Sequence, residues 1–310
     1  MKIAFLFPGQ GAQQVGMGHD IYDAFEVARD VFDQAEMQVS FDLKQLCFKG
    51  PIETLSQTEY TQACLVACEI AMLRVLNEQG ITADAYAGLS LGEYSALVAA
   101  GALEANDAIA LVRKRGQIMS EALPAGTSTM SAVLGMAAAD LEVVCQEASA
   151  VGIVEIANYN CPGQLVIGGE VAAVAKAGEL AVEKGARKVI PLNVSGAFHT
   201  SLLKAAGMKL RTELAQIKWR DLEKPVVFNK TANYQDAPLI DLLEAQVYSS
   251  VRFEDSIRRM IADGIDTFIE VGPGKTLSAF VKKIDRNVKI YNASTLENLQ
   301  NLIKEVKNHG

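Results

Sequence analysis

The pentapeptide Gly88-Leu89-Ser90-Leu91-Gly92 is the segment of this chain best suited to nucleophilic chemistry. It fits G-x-S-x-G, with a short apolar run, Ala85–Leu89, before the serine and a helix-forming stretch, Leu91–Ala100, after it. A nucleophile elbow requires this strand, sharp turn and helix. Glycines on both flanks let neighbouring elements approach, and the helix start places backbone N–H groups beside the reacting oxygen. The letters also fit a serine in an ordinary glycine-bounded turn, but the context favours a catalytic one.

A serine nucleophile needs a base, and the chain has three histidines. His309 is penultimate and expected to fray. His19 follows the first glycine-rich turn. His199 lies in Ser195-Gly196-Ala197-Phe198-His199-Thr200, between an expected strand and an expected helix, where catalytic groups are usually presented. Position and elimination favour His199 as the base over a helix-capping or buried structural role. No triad aspartate can be assigned, and a backbone or amide carbonyl would orient the imidazole equally well.

Three further segments carry weaker signals. Pro8-Gly9-Gln10-Gly11-Ala12-Gln13 follows the first strand, and its N–H groups could face an oxyanion, although a generic tight turn explains it as well. It fails as a dinucleotide fingerprint because Gln14 occupies the third glycine position. Gly274-Lys275-Thr276 imitates the end of a phosphate-binding loop, yet Ile269 stands where the first glycine is needed, so nucleotide hydrolysis is rejected. Arg113-Lys114-Arg115 falls on a helix, where at least one charge belongs to the solvated face. An arginine turned inward would instead offer a planar fork for a carboxylate.

The composition sets limits. A net charge of −8 over 310 residues argues against nucleic-acid binding, which needs a basic footprint. Any acidic partner must find a local basic patch, for which Arg187 with Lys188, or Lys282, Lys283 and Arg286, are candidates. The five cysteines form no CxxC pair and have no neighbouring histidines, so buried free thiols and a reducing, cytoplasmic setting are expected, without a zinc site. No apolar run approaches the length of a membrane span, and the apolar start, Met1–Phe7, is too short for a signal peptide.

Strands and helices alternate through the first part of the chain. Strands are expected at Lys2–Phe7 and Ala85–Leu89, and helices at Asp20–Met37, Thr61–Gln79 and Ala105–Glu121, indicating a parallel α/β sheet. After Pro124 the order becomes β-α-β-β-α-β: Thr129–Gly135, Ala138–Ala150, Ile153–Asn158, Gln164–Ile167, Val171–Lys184, Arg187–Leu192. That order is ferredoxin-like and marks residues 126–195 as an inserted subdomain. The α/β pattern then resumes with a helix at Ser201–Gln216, so residues 1–125 and 196–310 make one discontinuous domain.

Together these residues are recognisable. Phe7-Pro8-Gly9-Gln10-Gly11-Ala12-Gln13, Gly88–Leu97, Arg115-Gly116-Gln117-Ile118-Met119, Asn158-Tyr159-Asn160, Ser195–His199 and Glu270–Lys275 stand in jointly specific order and spacing. Over nearly its whole length the chain resembles the malonyl-CoA:acyl-carrier-protein transacylases of fatty-acid synthesis. The resemblance implies a hydrolase-like α/β domain carrying a ferredoxin-like insert, with the active site between them. It implies that Ser90 is the nucleophile, His199 the base, and the N–H groups of Gln10 and Leu91 the oxyanion hole. It further implies that Arg115 holds the malonyl carboxylate, that the backbone carbonyl of Gln246 orients His199, and that Asn158 and Asn160 border the site. Malonyl-CoA and acyl carrier protein are the implied partners, and neither metal nor redox cofactor is called for.

Leu89 departs from the histidine that many members carry before the nucleophile. The difference concerns local packing, because that side chain is not the base. Ala197-Phe198-His199 resembles the malonyl signature of related polyketide acyltransferases, with Phe198 crowding a branched α-carbon. Three alternatives share parts of the pattern: a free-standing polyketide acyltransferase, a serine esterase with no use for Arg115, and an inactive binding module with no reason to keep Ser90, His199 and Arg115 together.

Overall fold

Ile3-Ala4-Phe5-Leu6-Phe7 is an unbroken apolar run, which suits a strand covered on both faces. In the computed structural model, which describes residues 1–194 and 196–309, this run is strand β1 (Ile3–Phe7) at the centre of a five-stranded parallel sheet. Ser195, in the segment before His199, and Gly310 lie outside the described residues, as do the side chains of residues 307–309. Alternation along β1 divides the core. Ile3, Phe5 and Phe7 pack into the larger apolar cluster, and Ala4 and Leu6 into a second on the opposite face.

The sheet neighbours of β1 are β2 (Ala85–Gly88) and, on its other side, a later strand, Thr267–Glu270. The helix Thr58–Glu78 is buried almost all round and packs beside Ala105–Ser120 and Gly92–Ala99. Cys47, Cys64 and Cys68 are free thiols in this core, and Cys145 and Cys161 are free and buried elsewhere.

A second, antiparallel sheet comprises β3 (Ser128–Leu134), β4 (Val154–Cys161), β5 (Gln164–Glu170) and β6 (Lys188–Pro191), in the order β4-β5-β3-β6. Helices Ala138–Ala148 and Val171–Glu183 cover one face through Val133, Leu141, Ile167, Val174 and Ala177. This is the ferredoxin-like arrangement. Its open face carries Met130, Ala132 and Val166 toward the parallel-sheet body. The chain then returns to the first sheet as β7 (Val226–Val227), β8 (Thr267–Glu270) and β9 (Lys289–Asn292), giving the order β7-β2-β1-β8-β9.

Some elements differ from expectation. The stretch Asp20–Met37 is two helices, His19–Ala24 and Glu26–Glu36, because Phe25 between them is extended (φ −127°, ψ 128°) and packs against the core. The helix expected from Ser201 begins with a 3₁₀ turn, Ser201–Leu203, and is α-helical only over Lys204–Leu214. Short helices at Leu43–Lys49 and Ile52–Leu55 carried too few turns to show a period. Strand β4 runs three residues past Asn158, to Cys161.

Candidate active site

The turn at the end of β2 holds Ser90 in a left-handed conformation, φ 55°. Side chains at either flanking position would prevent it. A Cβ on Gly88 would lie 1.9 Å from the Gly92 carbonyl carbon, and one on Gly92 would lie 2.0 Å from the Phe7 carbonyl oxygen. Close approach of β2, the next helix and β1 therefore sets both glycines. The Ser90 carbonyl accepts from Gln246 Nε2 at 2.9 Å. The Leu91 and Gln10 N–H groups have no hydrogen-bond partner among the described residues, and both residues line the cleft. Gln10 Nε2 donates to Thr58 Oγ1 at 2.9 Å, which pins the Pro8–Gln13 turn against the buried helix.

His199 also has a left-handed backbone, φ 61°, and its Nε2 lies 2.6 Å from Ser90 Oγ. Its Nδ1 is 2.8 Å from the backbone oxygen of Gln246. A carbonyl only accepts, so Nδ1 carries the proton and Nε2 presents its lone pair to the serine hydroxyl. Burial first, and then the Arg115 charge, lower the His199 pKa to about 4, against the pull of the Gln246 and Ser249 backbone. The imidazole is therefore neutral at physiological pH, as a base must be. His19 is remote from this site: it stacks on Phe48 at 4.6 Å and faces Asp23.

The basic triplet divides by direction. Arg113 lies over the Phe41 and Tyr60 rings and pairs with Glu59 at 2.9 Å, and Lys114 pairs with Glu213 at the surface. Arg115 points inward and is 1% exposed. Its Nη1 donates to Gln62 Oε1 at 2.8 Å, and its Nη2 to Gln246 Oε1 at 3.0 Å and to Ser90 Oγ at 3.2 Å. The Tyr94 ring lies 5.3 Å from the guanidinium, and Nε has no hydrogen-bond partner among the described residues. None of the ion pairs among the described residues involves Arg115. The nearby carboxyl of Glu93 is pushed up to about 8 by burial, so it is protonated at neutral pH. Among the described residues Arg115 is thus a buried cation beside Ser90, held by amides rather than by an anion. A substrate carboxylate would offset that isolation.

The cleft over Ser90 has a volume of about 290 Å³. Gln10, Leu91, Arg115, Phe198 and His199 line it from the body, and Asn158 and Asn160 from the insert. The two asparagines reach it through a bulge. Ile156 packs toward the insert's helices, and strict alternation would send Asn158 and Asn160 the same way. A register shift between Ile156 and Asn158 turns both to the cleft, and the bond from Tyr159 N–H to the Val251 carbonyl (2.9 Å) ties β4 to the body there. Asn160 Oδ1 is buried without a hydrogen-bond partner among the described residues. Phe198 is buried at the cleft wall. Of the two basic clusters, Lys283 donates to Gln164, a cleft residue, at 3.1 Å, and Lys188 sits two strands away on β6.

Sequence reasoning missed Gln62, Glu93, Asn229 and the side chain of Gln246. Each is a single polar residue in an otherwise apolar or unremarked stretch, and only its burial marks it. The phosphate-loop mimic is also explained. Glu270 at the end of β8 accepts from Leu277 N (3.1 Å), Ser278 N (2.8 Å) and Ser278 Oγ (2.6 Å) at the start of helix Thr276–Ile284.

A nucleophile elbow on a parallel sheet, a neutral histidine and a roofing insert define an acyl-transferring serine protein rather than a nucleotide binder. The chain belongs to the acyl transferase domain family, whose sequence pattern matches residues 4–309. It is 47% identical over 309 residues to a protein of Bacillus subtilis (strain 168) named malonyl CoA-acyl carrier protein transacylase, covering 99% of this chain and 98% of that one. A malonyl CoA-acyl carrier protein transacylase structure from Clostridium perfringens superposes with a TM-score of 0.97 at 42% identity, over 100% of this chain and 98% of that one. A malonyl-transacylase solved in complex with its type II PKS acyl-carrier protein gives 0.96 at 35% identity, over 98% of this chain and 100% of that one.

Proposed function

We propose that this chain transfers a malonyl group from malonyl-CoA to the phosphopantetheine thiol of acyl carrier protein, through a malonyl ester on Ser90. The observation that carries the reading is the buried Arg115, in no ion pair among the described residues, within 3.2 Å of a serine already hydrogen-bonded to a neutral histidine. An esterase acting on neutral esters has no use for that cation. In this reading, residues 126–195 are the inserted subdomain that roofs a catalytic body made of 1–125 and 196–310.

His199 Nε2 takes the Ser90 proton as Oγ attacks the thioester carbonyl carbon. The Gln10 and Leu91 N–H groups receive the tetrahedral oxyanion, each contributing roughly 3 kcal/mol by comparison with measured oxyanion donors. Collapse breaks the carbon–sulfur bond, and His199 returns the proton to the coenzyme A sulfur. The carrier-protein thiol then gives its proton to His199 and attacks the ester, and Ser90 leaves with that proton. This is ping-pong covalent catalysis. The Gln246 carbonyl keeps the imidazole in the working tautomer. Arg115 holds the malonyl carboxylate, and Phe198 narrows the space for an α-branch. Asn158 and Asn160 are placed to hydrogen-bond the acyl or pantetheine portion.

Fatty-acid synthesis is the pathway we propose, on the resemblance of the sequence motifs, with polyketide synthesis the alternative that the carrier-protein complex represents. The five free cysteines support a cytoplasmic setting. No helix among the described residues is long and apolar enough to cross a membrane.

Intact mass after incubation with malonyl-CoA tests the reading. A malonyl-sized adduct is expected that is absent in Ser90→Ala and discharged by carrier protein. Free malonate without discharge to carrier protein would mean a hydrolase, and no adduct with no turnover would mean a binding module.

A further inference from the structure

The elbow is held by more than its own glycines. Asn229 lies two residues beyond β7, the strand beside β2, and is 1% exposed. Its side chain spans the turn: Oδ1 accepts from Ser90 N–H at 2.6 Å, and Nδ2 donates to the Gly88 carbonyl at 2.6 Å. Its backbone is equally committed. Asn229 N–H donates to Glu93 Oε2 at 2.6 Å, and its carbonyl accepts from Arg252 N–H at 2.9 Å. Glu93 is likewise 1% exposed and rides on the helix that begins at Gly92. Asn229 thus joins the last residue of the strand to the nucleophile, and Glu93 joins Asn229 to the helix that follows.

We propose that Asn229 is a positioning residue for Ser90, that Glu93 positions Asn229, and that together they hold the nucleophile in its left-handed conformation. A non-glycine residue at φ 55° lies in a sparsely populated region, and such backbone persists only where its surroundings over-determine it. Leu89 N–H donates to the Phe7 carbonyl at 3.0 Å and Gly92 N–H to the Leu89 carbonyl at 3.1 Å. Those bonds fix the residues on either side of the serine. Asn229 adds the bond at the serine's own N–H and so fixes the peptide plane that sets the direction of Oγ. It also withdraws that N–H from the substrate, leaving the next N–H, of Leu91, to meet the oxyanion. Displacement of a reacting group by about 1 Å costs on the order of 100-fold in rate, so the clamp acts on the chemical step rather than on substrate binding.

The inference rests on Ser90 being the acylated residue. Rapid-quench mass spectrometry of the whole protein with malonyl-CoA separates three quantities: the acylation rate at saturation, the concentration giving half that rate, and the final fraction acylated. Asn229→Ala is expected to lower the rate on the order of 100-fold while the half-saturating concentration stays put and acylation still goes to completion. Glu93→Gln keeps an oxygen for the Asn229 N–H and is expected to stay within roughly threefold of the parent, whereas Glu93→Ala falls toward Asn229→Ala. If Asn229→Ala lowers only the fraction acylated, the survivors reacting at the parental rate, the residue is merely structural and the proposal is overturned. Equal losses in Glu93→Gln and Glu93→Ala overturn the part assigned to Glu93, and this pair carries the test should Asn229→Ala not fold. An unaltered chain that gains no malonyl adduct would instead remove the reading of Ser90 itself.

Discussion

The two sheets contribute to the cleft in different ways. The parallel body supplies the groups that touch Ser90 Oγ, and it fixes them with buried polar contacts: Gln62 and Gln246 on Arg115, the Gln246 carbonyl on His199. The antiparallel insert supplies a wall of Met130, Ala132 and Val166 with two asparagines turned in by a bulge. One region is over-determined by hydrogen bonds, and the other is shaped by packing. Chemistry that depends on sub-ångström placement sits on the first. On the proposed reading the second would discriminate by shape, since a substitution there adjusts the cleft's volume.

Arg115→Ala tests that division most severely. Malonyl transfer is expected to fall by at least roughly 100-fold, and acetyl transfer far less, because loss of a buried charge partner costs about 3 kcal/mol or more. Parallel acylation assays with both thioesters measure it, and equal losses would end the selectivity role. Asn160→Ala, on the insert, should be milder. Removing one hydrogen bond of roughly 1 kcal/mol predicts about a fivefold higher KM for malonyl-CoA with kcat retained. A kcat loss matching that of Arg115→Ala would show that the insert takes part in the chemistry and break the comparison.

The smallest effect is in pH. If His199 is the base, as proposed, its neutral form does the work, and with its pKa lowered to about 4 activity is expected to be lost only as the pH falls through that value. At about pH 5.5, kcat/KM should stay within roughly twofold of its neutral value, where an ordinary imidazole would leave about a tenth. Arg115→Ala removes one cause of the lowering and should move the acid limb upward on a plot of log kcat/KM against pH.

The parts legible in the sequence share one property: their signal is local. The elbow at Ser90 shows because strand, glycine, serine, glycine and helix are consecutive, and the insert shows because its β-α-β-β-α-β order is read along the chain. The supporting residues are not local. Asn229 meets Ser90 across 139 positions and Gln246 meets Arg115 across 131, and nothing around either residue announces the encounter. The bulge before Asn158 was equally hidden, since period-two alternation predicts the opposite face. The bend at Phe25 shows the same limit on a smaller scale, an apolar period running through a break that tertiary packing imposes.

Glu270 has a consequence for what this protein ignores. The start of helix Thr276–Ile284 has the first-turn N–H groups and the Gly-Lys-Thr lettering that draw phosphate in other proteins. Here the seat is taken by a carboxylate from the adjacent strand, bonded to two of those N–H groups and to the Ser278 hydroxyl. Those N–H groups are therefore already bonded within the protein. The same bonds lock strand to helix along the cleft side formed by Leu277 and Phe280, so the carboxyl that fills the helix start also holds that wall in place.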